Sequence, residues 1–137
     1  MKPHLILVSH GDLAEELVRV ASMILDEMPQ VTVLTMQEFQ NTATLEKELK
    51  AALKTIGPGP VLVMADILGG TPSNATIQVM TQRDDLVLLS GVNLPMILEF
   101  ALSSITDLRE LSTHLRMVGA QGVRMVTIDP RDIDQVG

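Results

Sequence analysis

The chain contains no cysteine. Disulfides, thiolate zinc sites, thiol nucleophiles and iron–sulfur clusters are excluded together, and the composition fits a reducing compartment, so the cytoplasm is the expected location. Tryptophan and tyrosine are missing too, and two phenylalanines are the only aromatics among 137 residues. The core must then be built from aliphatic side chains and the nine methionines. The aromatic faces on which flavins and stacked bases usually rest are scarce, and no cofactor is expected. Positive charge is also in short supply. Ten Lys and Arg stand against 17 Asp and Glu, a net charge of -7, which repels polyanions at long range and argues against nucleic acid or an anionic membrane as partner. The longest apolar runs, such as residues 61–65 and 86–89, fall far short of the roughly 20 residues needed to cross a bilayer. Near the N-terminus the apolar run stops at Ser9-His10-Gly11, too early for a secretory signal.

What remains is 46% hydrophobic and 20% charged, the balance of one globular domain with a substantial core. That domain is expected over residues 1–129, with a polar tail over 130–137. Residues 5–8 are continuously apolar, as in a strand covered on both faces. Between 13 and 28 the apolar positions Leu13, Leu17, Val20, Ala21, Ile24, Leu25 and Met28 recur at helical spacing, with Asp12 and Glu15 as a capping-box-like start. Pro29 breaks that helix. A β-branched strand over Val31–Met36, a helix over 44–56 and the breaker Gly57-Pro58-Gly59-Pro60 follow. A third strand, Val61–Ala65, delivers Asp66 and Gly69-Gly70-Thr71-Pro72-Ser73-Asn74, where Thr71 reads as an N-cap before an N1 proline. That helix runs to about Gln82. A fourth strand, Leu86–Ser90, ends in Gly91-Val92-Asn93-Leu94-Pro95; helices over 95–104 and from about Leu108 to Gly119 lead to a last strand over 123–128.

Strands alternating with helices predict an α/β fold: a doubly wound, mainly parallel sheet with helices on both faces. Ligands of such sheets sit beyond the carboxyl ends of the strands, where the strand order reverses. For the order 2-1-3-4 that point lies between the first and third strands, whose ends carry His10 and Asp66.

His10 thus stands beside the N-terminus of a helix, a natural seat for phosphate. An isolated histidine at such a place usually does no more than satisfy a turn, but this one has company. Asp66 can hold one imidazole nitrogen and leave the other free as a nucleophile. Gly69 and Gly70 offer backbone donors and Thr71 a hydroxyl on the same rim, while Gly91 and Asn93 end the neighbouring strand. Other chemistries lack parts. There is no G-x-x-x-x-G-K-[ST] loop for nucleotide hydrolysis, and no acidic cluster after the first strand as in a response-regulator receiver. Ser73, His10 and Asp66 could be drawn as a hydrolase triad, but no G-x-S-x-G elbow is present. One His and one Asp are too few ligands for a metal. His4 and His114 have no acidic or Gly-rich company at a strand end and read as ordinary residues.

Val8-Ser9-His10-Gly11, Asp66 with Gly69-Gly70-Thr71-Pro72-Ser73-Asn74, and Gly91-Val92-Asn93-Leu94-Pro95-Met96 together resemble the mannose-type enzyme IIA domains of the bacterial phosphoenolpyruvate-dependent sugar phosphotransferase system. The resemblance runs in order over residues 4–128. It implies that His10 accepts a phosphoryl group from the phosphocarrier protein HPr and passes it to a IIB component, which phosphorylates sugar at a membrane permease of IIC and IID components. It also implies that Asp66 hydrogen-bonds the active histidine and that Thr71 lies beside the phosphoryl group; Gly11, Gly70 and Ser73 are the further candidates for holding it. Family members dimerise by exchanging a C-terminal strand, here residues 123–128, which would be antiparallel to the rest. The chain ends at Gly137 without the Ala/Pro-rich linker of the fused members, so IIB is expected on a separate polypeptide. Where the family often carries an aromatic after the aspartate, this chain has Ile67-Leu68.

No Lys or Arg occurs in residues 9–12, 66–74 or 91–96, so positive charge at the site is expected from the donor protein. Ile67, Leu68, Val92, Asn93, Leu94 and Met96 are the expected partner-facing rim. Two further readings keep the fold and histidine: the phosphotransfer subunit of phosphoenolpyruvate-dependent dihydroxyacetone kinase, whose usual glycine-rich loop differs from this one, and a regulatory module in which phosphorylation of His10 is a signal.

Overall fold

Residues 5–8 and 61–65 are the most apolar stretches of the chain, and both become strands buried on both faces. The computed structural model describes residues 1–131. Along it run β1 (His4–His10), α1 (Leu13–Ile24), β2 (Val31–Met36), α2 (Thr42–Ile56), β3 (Val61–Ala65), α3 (Thr71–Met80), β4 (Leu86–Ser90), α4 (Leu94–Leu102) and α5 (Leu108–Gln121). Among the described residues the sheet has four strands, all paired in parallel, in the order β2-β1-β3-β4. This is the α/β architecture expected from the alternation of apolar runs and periodic segments.

Because successive side chains of a strand point to opposite faces, the core falls into two halves. Leu5 and Leu7 of β1 join Leu62 and Met64 of β3 beneath α1, α4 and α5, where Ile97, Phe100, Leu111 and Leu115 pack. Ile6, Val8, Val61 and Val63 face the other way, against Leu45, Leu49 and Leu53 of α2 and Ala75 and Val79 of α3. One of the two phenylalanines, Phe100, is wholly inside.

Several boundaries differ from those expected. Helix α1 stops at Ile24 rather than Met28, and Leu25 is already extended at φ -101° and ψ 137°. Pro29 disfavours helical backbone at the residue before it, while Met28 still packs against the core and so keeps the helical spacing without the helix. Asp12 makes no side-chain cap; the Ser9 hydroxyl accepts the Ala14 N–H at 2.8 Å instead. Helix α2 begins at Thr42, two residues earlier than expected, because Asn41 Oδ1 accepts the Thr44 N–H at 2.9 Å. Gly70, not Thr71, is the N-cap of α3, so Thr71 and Pro72 are its first two residues, and this helix ends at Met80.

The expected fifth strand is not formed within the described chain. Residues 123–129 have no regular structure, and Val123, Met125, Val126 and Ile128 lie exposed. The polar tail expected over 130–137 lies, from residue 132 on, outside the described residues. No helix among the described residues is long and apolar enough to cross a membrane.

Candidate functional site

Strands β1 and β3 are neighbours in the register Val8↔Ala65, so the residues just beyond, His10 and Asp66, emerge side by side at the carboxyl edge of the sheet. Asp66 Oδ2 accepts the backbone N–H of His10 at 2.9 Å and lies 2.8 Å from its Nδ1. Asp66 Oδ1 accepts the Ile67 N–H at 2.9 Å. A carboxylate can only accept, so Nδ1 is the donor of this pair, and in the neutral ring that leaves the lone pair on Nε2. The His10 side chain is 45% exposed against 12% for Asp66, so the imidazole reaches solvent while the carboxylate beside it is largely covered. Burial raises the Asp66 pKa, but the bonds from the His10 backbone and ring and from the Ile67 N–H, with the attraction of the His10 ring, outweigh it and hold the carboxyl below its ordinary value.

The loop from Asp66 to α3 is knitted by Ser73. Its hydroxyl is buried, accepts the Gly69 N–H at 2.9 Å and donates to the Gly70 carbonyl at 3.0 Å. Ser73 therefore builds the loop and has no free hydroxyl to offer a phosphoryl group. Gly11 is similarly engaged: at φ 52° it turns the chain out of β1 and donates its N–H to the Met36 carbonyl at 2.8 Å. Gly70 and Thr71 remain open at the N-terminus of α3, and the Thr71 hydroxyl makes no hydrogen bond among the described residues.

Of the residues expected to face a partner, only some lie at the surface. Ile67 and Leu68 are exposed, at 57% and 64%. Val92 and Leu94 are half-buried against the core, and Met96, at 4% exposure, is part of it. Asn93 is engaged at both ends of its amide: Oδ1 accepts the Met96 N–H at 3.0 Å and Nδ2 donates to the Gly119 carbonyl at 2.8 Å, tying the start of α4 to the end of α5. The apolar spacing after β4 is thus that of a helix face turned inward, not of a surface patch.

One exposed residue went unread in the sequence. Phe39, 87% exposed, follows β2, whose last residue Met36 pairs with His10. With His10, Gly11, Met36, Gln37 and Glu38 it lines an open cleft of about 510 Å³. The available signal was an aromatic among polar neighbours, Gln37-Glu38-Phe39-Gln40, in a chain with only one other. A separate cavity of about 370 Å³ between α2 and α3 is lined by Lys50, Lys54 and Arg83; it sits at the opposite end of the sheet. His4 is also at that end, with Nε2 2.9 Å from Thr32 Oγ1, and His114 lies 3.8 Å from Glu99. No cluster of three metal-ligating side chains occurs among the described residues.

A four-stranded parallel sheet with helices on both faces and one aspartate-held histidine at its point of order reversal defines the class as an α/β domain. Residues 4–115 match the family model EIIA-man, the fructose IIA component of the phosphotransferase system (PTS), and the chain belongs to that family of sugar-specific IIA components, phosphotransfer proteins of the transferase kind. The mannose/sorbose-specific IIA subunit from Enterococcus faecalis superposes with a TM-score of 0.89 at 35% identity, covering 94% of this chain and 98% of that one. The fructose-specific EIIA component of Bacillus subtilis (strain 168) is 30% identical over 122 residues, 88% of this chain and 84% of its own length. The mannose-specific EIIAB component of Escherichia coli (strain K12) is 28% identical over 129 residues. Of that longer relative the chain spans only 40%.

Proposed function

We propose that the protein is a phosphohistidine carrier of sugar uptake in the cytoplasm, taking a phosphoryl group from HPr and giving it to a IIB component that serves the membrane IIC and IID components. The observation that carries this reading is the Asp66–His10 pair, in which the carboxylate holds Nδ1 of a half-exposed imidazole and Nε2 makes no hydrogen bond among the described residues. In the forward step the Nε2 lone pair attacks phosphorus, the P–N bond to the HPr histidine breaks, and that histidine regains its lone pair. Asp66 keeps the Nδ1 proton and opposes the positive charge that develops on the ring. Gly70 and Thr71, at the positive end of α3, are the groups best placed to hold the phosphoryl oxygens. The relatives are named for mannose, fructose and sorbose, which favours the sugar branch over dihydroxyacetone kinase.

Residues 1–129 act in this reading as one phosphotransfer domain, followed by a polar tail. Ile67, Leu68 and Phe39 flank His10 as the apolar contacts for partners, and the net charge of -7 draws a basic donor. The exposed apolar residues of 123–128 support a homodimer in which that segment pairs with a second copy.

Incubation with phosphoenolpyruvate, enzyme I and HPr should label the protein with an acid-labile, base-stable phosphate, and His10→Ala should abolish the label. Label persisting in His10→Ala would refute the assignment.

A further inference from the structure

Two glycines stand together before α3, and they are glycines for different reasons. Gly69 has φ 90°, a left-handed conformation that other residues adopt only under strain. Gly70 has φ -88° and ψ 171°, extended backbone open to any residue. Its backbone conformation does not call for glycine, but its surroundings do. A Cβ at Gly70 would lie 2.7 Å from Cε1 of His10, 3.3 Å from Nε2 of His10 and 3.3 Å from Cγ2 of Ile67. The imidazole therefore rests with its Cε1–Nε2 edge against the bare Cα of Gly70, while Nδ1, on the other side of Cε1, meets Asp66 at 2.8 Å.

We propose that Gly70 is a positioning residue for the phosphoryl-accepting histidine: the absence of a side chain at this point lets the ring sit where Nδ1 reaches Asp66 and Nε2 opens at the N-terminus of α3. The proposal rests on the reading of His10 as the acceptor and adds a constraint on its ring. A methyl group at position 70 must be accommodated by some neighbour. The core cannot give, but the two side chains it meets are both at the rim, Ile67 at 57% exposure and His10 at 45%. The side chains that yield are the ones in solvent, so the cost falls on the site rather than on the fold. Alanine at an ordinary φ narrows the unfolded ensemble, which offsets part of the cost of a poorer N-cap for α3. Stability and transfer should then separate in Gly70→Ala, which a merely structural glycine would not produce.

The test compares wild type, Gly70→Ala, His10→Ala and the double variant in the full chain. Three readouts are needed: thermal melting, the ¹⁵N spectrum of the His10 ring in unphosphorylated protein, and the initial rate of labelling by phosphorylated HPr. In wild type the spectrum should report a single Nδ1–H tautomer. Gly70→Ala should melt close to wild type, show ring nitrogens shifted away from that tautomer, and accept phosphate on the order of 10- to 100-fold more slowly, the scale of a reacting group misplaced by about an ångström. Any loss of melting temperature caused by Gly70→Ala should be smaller in the His10→Ala background, where no ring remains to collide and only the poorer N-cap is left. A wild-type tautomer and labelling rate in Gly70→Ala would overturn the proposal. So would an equal destabilisation in both backgrounds, which would mean that the fold and not the ring needs the space. If Gly70→Ala alone fails to fold while the double variant folds, the collision with His10 stands. Should wild type itself take no label from HPr, the proposed function fails, and the spectra and melting cycle still decide the role of Gly70.

Discussion

A single carboxylate oxygen, Asp66 Oδ2, receives the backbone N–H of His10 at 2.9 Å and lies 2.8 Å from its ring Nδ1. The same atom thus anchors the end of β1 and the side chain that leaves it. Ring orientation and strand end cannot drift independently. His10 is on the rim, its side chain 45% exposed, yet its Nδ1 is held by a carboxylate that is only 12% exposed.

Asp66→Asn keeps the shape but removes the charge. The amide oxygen can still accept one bond, while the ring loses the anion that opposes its developing positive charge. Transfer to and from His10 should slow by about 10- to 100-fold with the fold retained, and Asp66→Ala should additionally lose the single ring tautomer. Rapid-quench labelling with phosphorylated HPr measures the rate; a wild-type rate in Asp66→Asn contradicts the orienting role.

The pH dependence of folding follows from the same carboxylate. Its pKa is held below its ordinary 3.8 in the folded chain, so between the folded and unfolded values the unfolded state binds more protons. The Asp66 contribution to stability is therefore complete above the ordinary value and is lost as pH falls through the lower folded value. Denaturant unfolding of wild type and Asp66→Asn across the acid range should give a stability difference that is level near neutrality and shrinks in strong acid. A difference that grows on acidification contradicts the sign.

Leu68 and Met96 should respond oppositely. Leu68 is 64% exposed, and Leu68→Asp should change stability by no more than about 0.5 kcal/mol while slowing acceptance from HPr. Phe39→Ala should act in the same direction. Met96 is buried against Gly119 and the core of α4 and α5, and Met96→Ala should cost about 2–5 kcal/mol. Chemical denaturation and labelling rates together check both; transfer at the normal rate in both Leu68→Asp and Phe39→Ala places the docking face elsewhere.

The exposed apolar residues of 123–128 predict the assembly. Val123, Met125 and Val126 are each more than 80% exposed, an arrangement suited to pairing with another chain. Light scattering should find a dimer at micromolar concentration. Val126→Asp or removal of 123–137 should give a monomer that still accepts phosphate at His10. A wild-type protein that stays monomeric up to the solubility limit removes the pairing.

Much of the architecture was legible without coordinates because it rests on short-range chemistry. The uninterrupted apolar runs at 5–8 and 61–65 read as strands covered on both faces, and they are; their alternation with helical spacing led to a parallel sheet with His10 and Asp66 at adjacent ends. The motif around Gly69-Gly70-Thr71 marked the start of a helix within one residue of the true cap. What the residue pattern could not reveal is which polar groups are already engaged and which apolar faces are already covered. The hydroxyl of Ser73 is turned into its own loop, the N–H of Gly11 is taken by a carbonyl on β2, and the amide of Asn93 reaches α5, 26 residues along the chain. Met96 reads like Leu68 in a list of residues but faces Gly119, and Gly70 reads like Gly69 until the imidazole of His10 is found lying against it. Local sequence determines which conformations and donors a segment has. Only the packing of distant segments determines which donors remain free, because each hydrogen bond and each apolar face can be satisfied once.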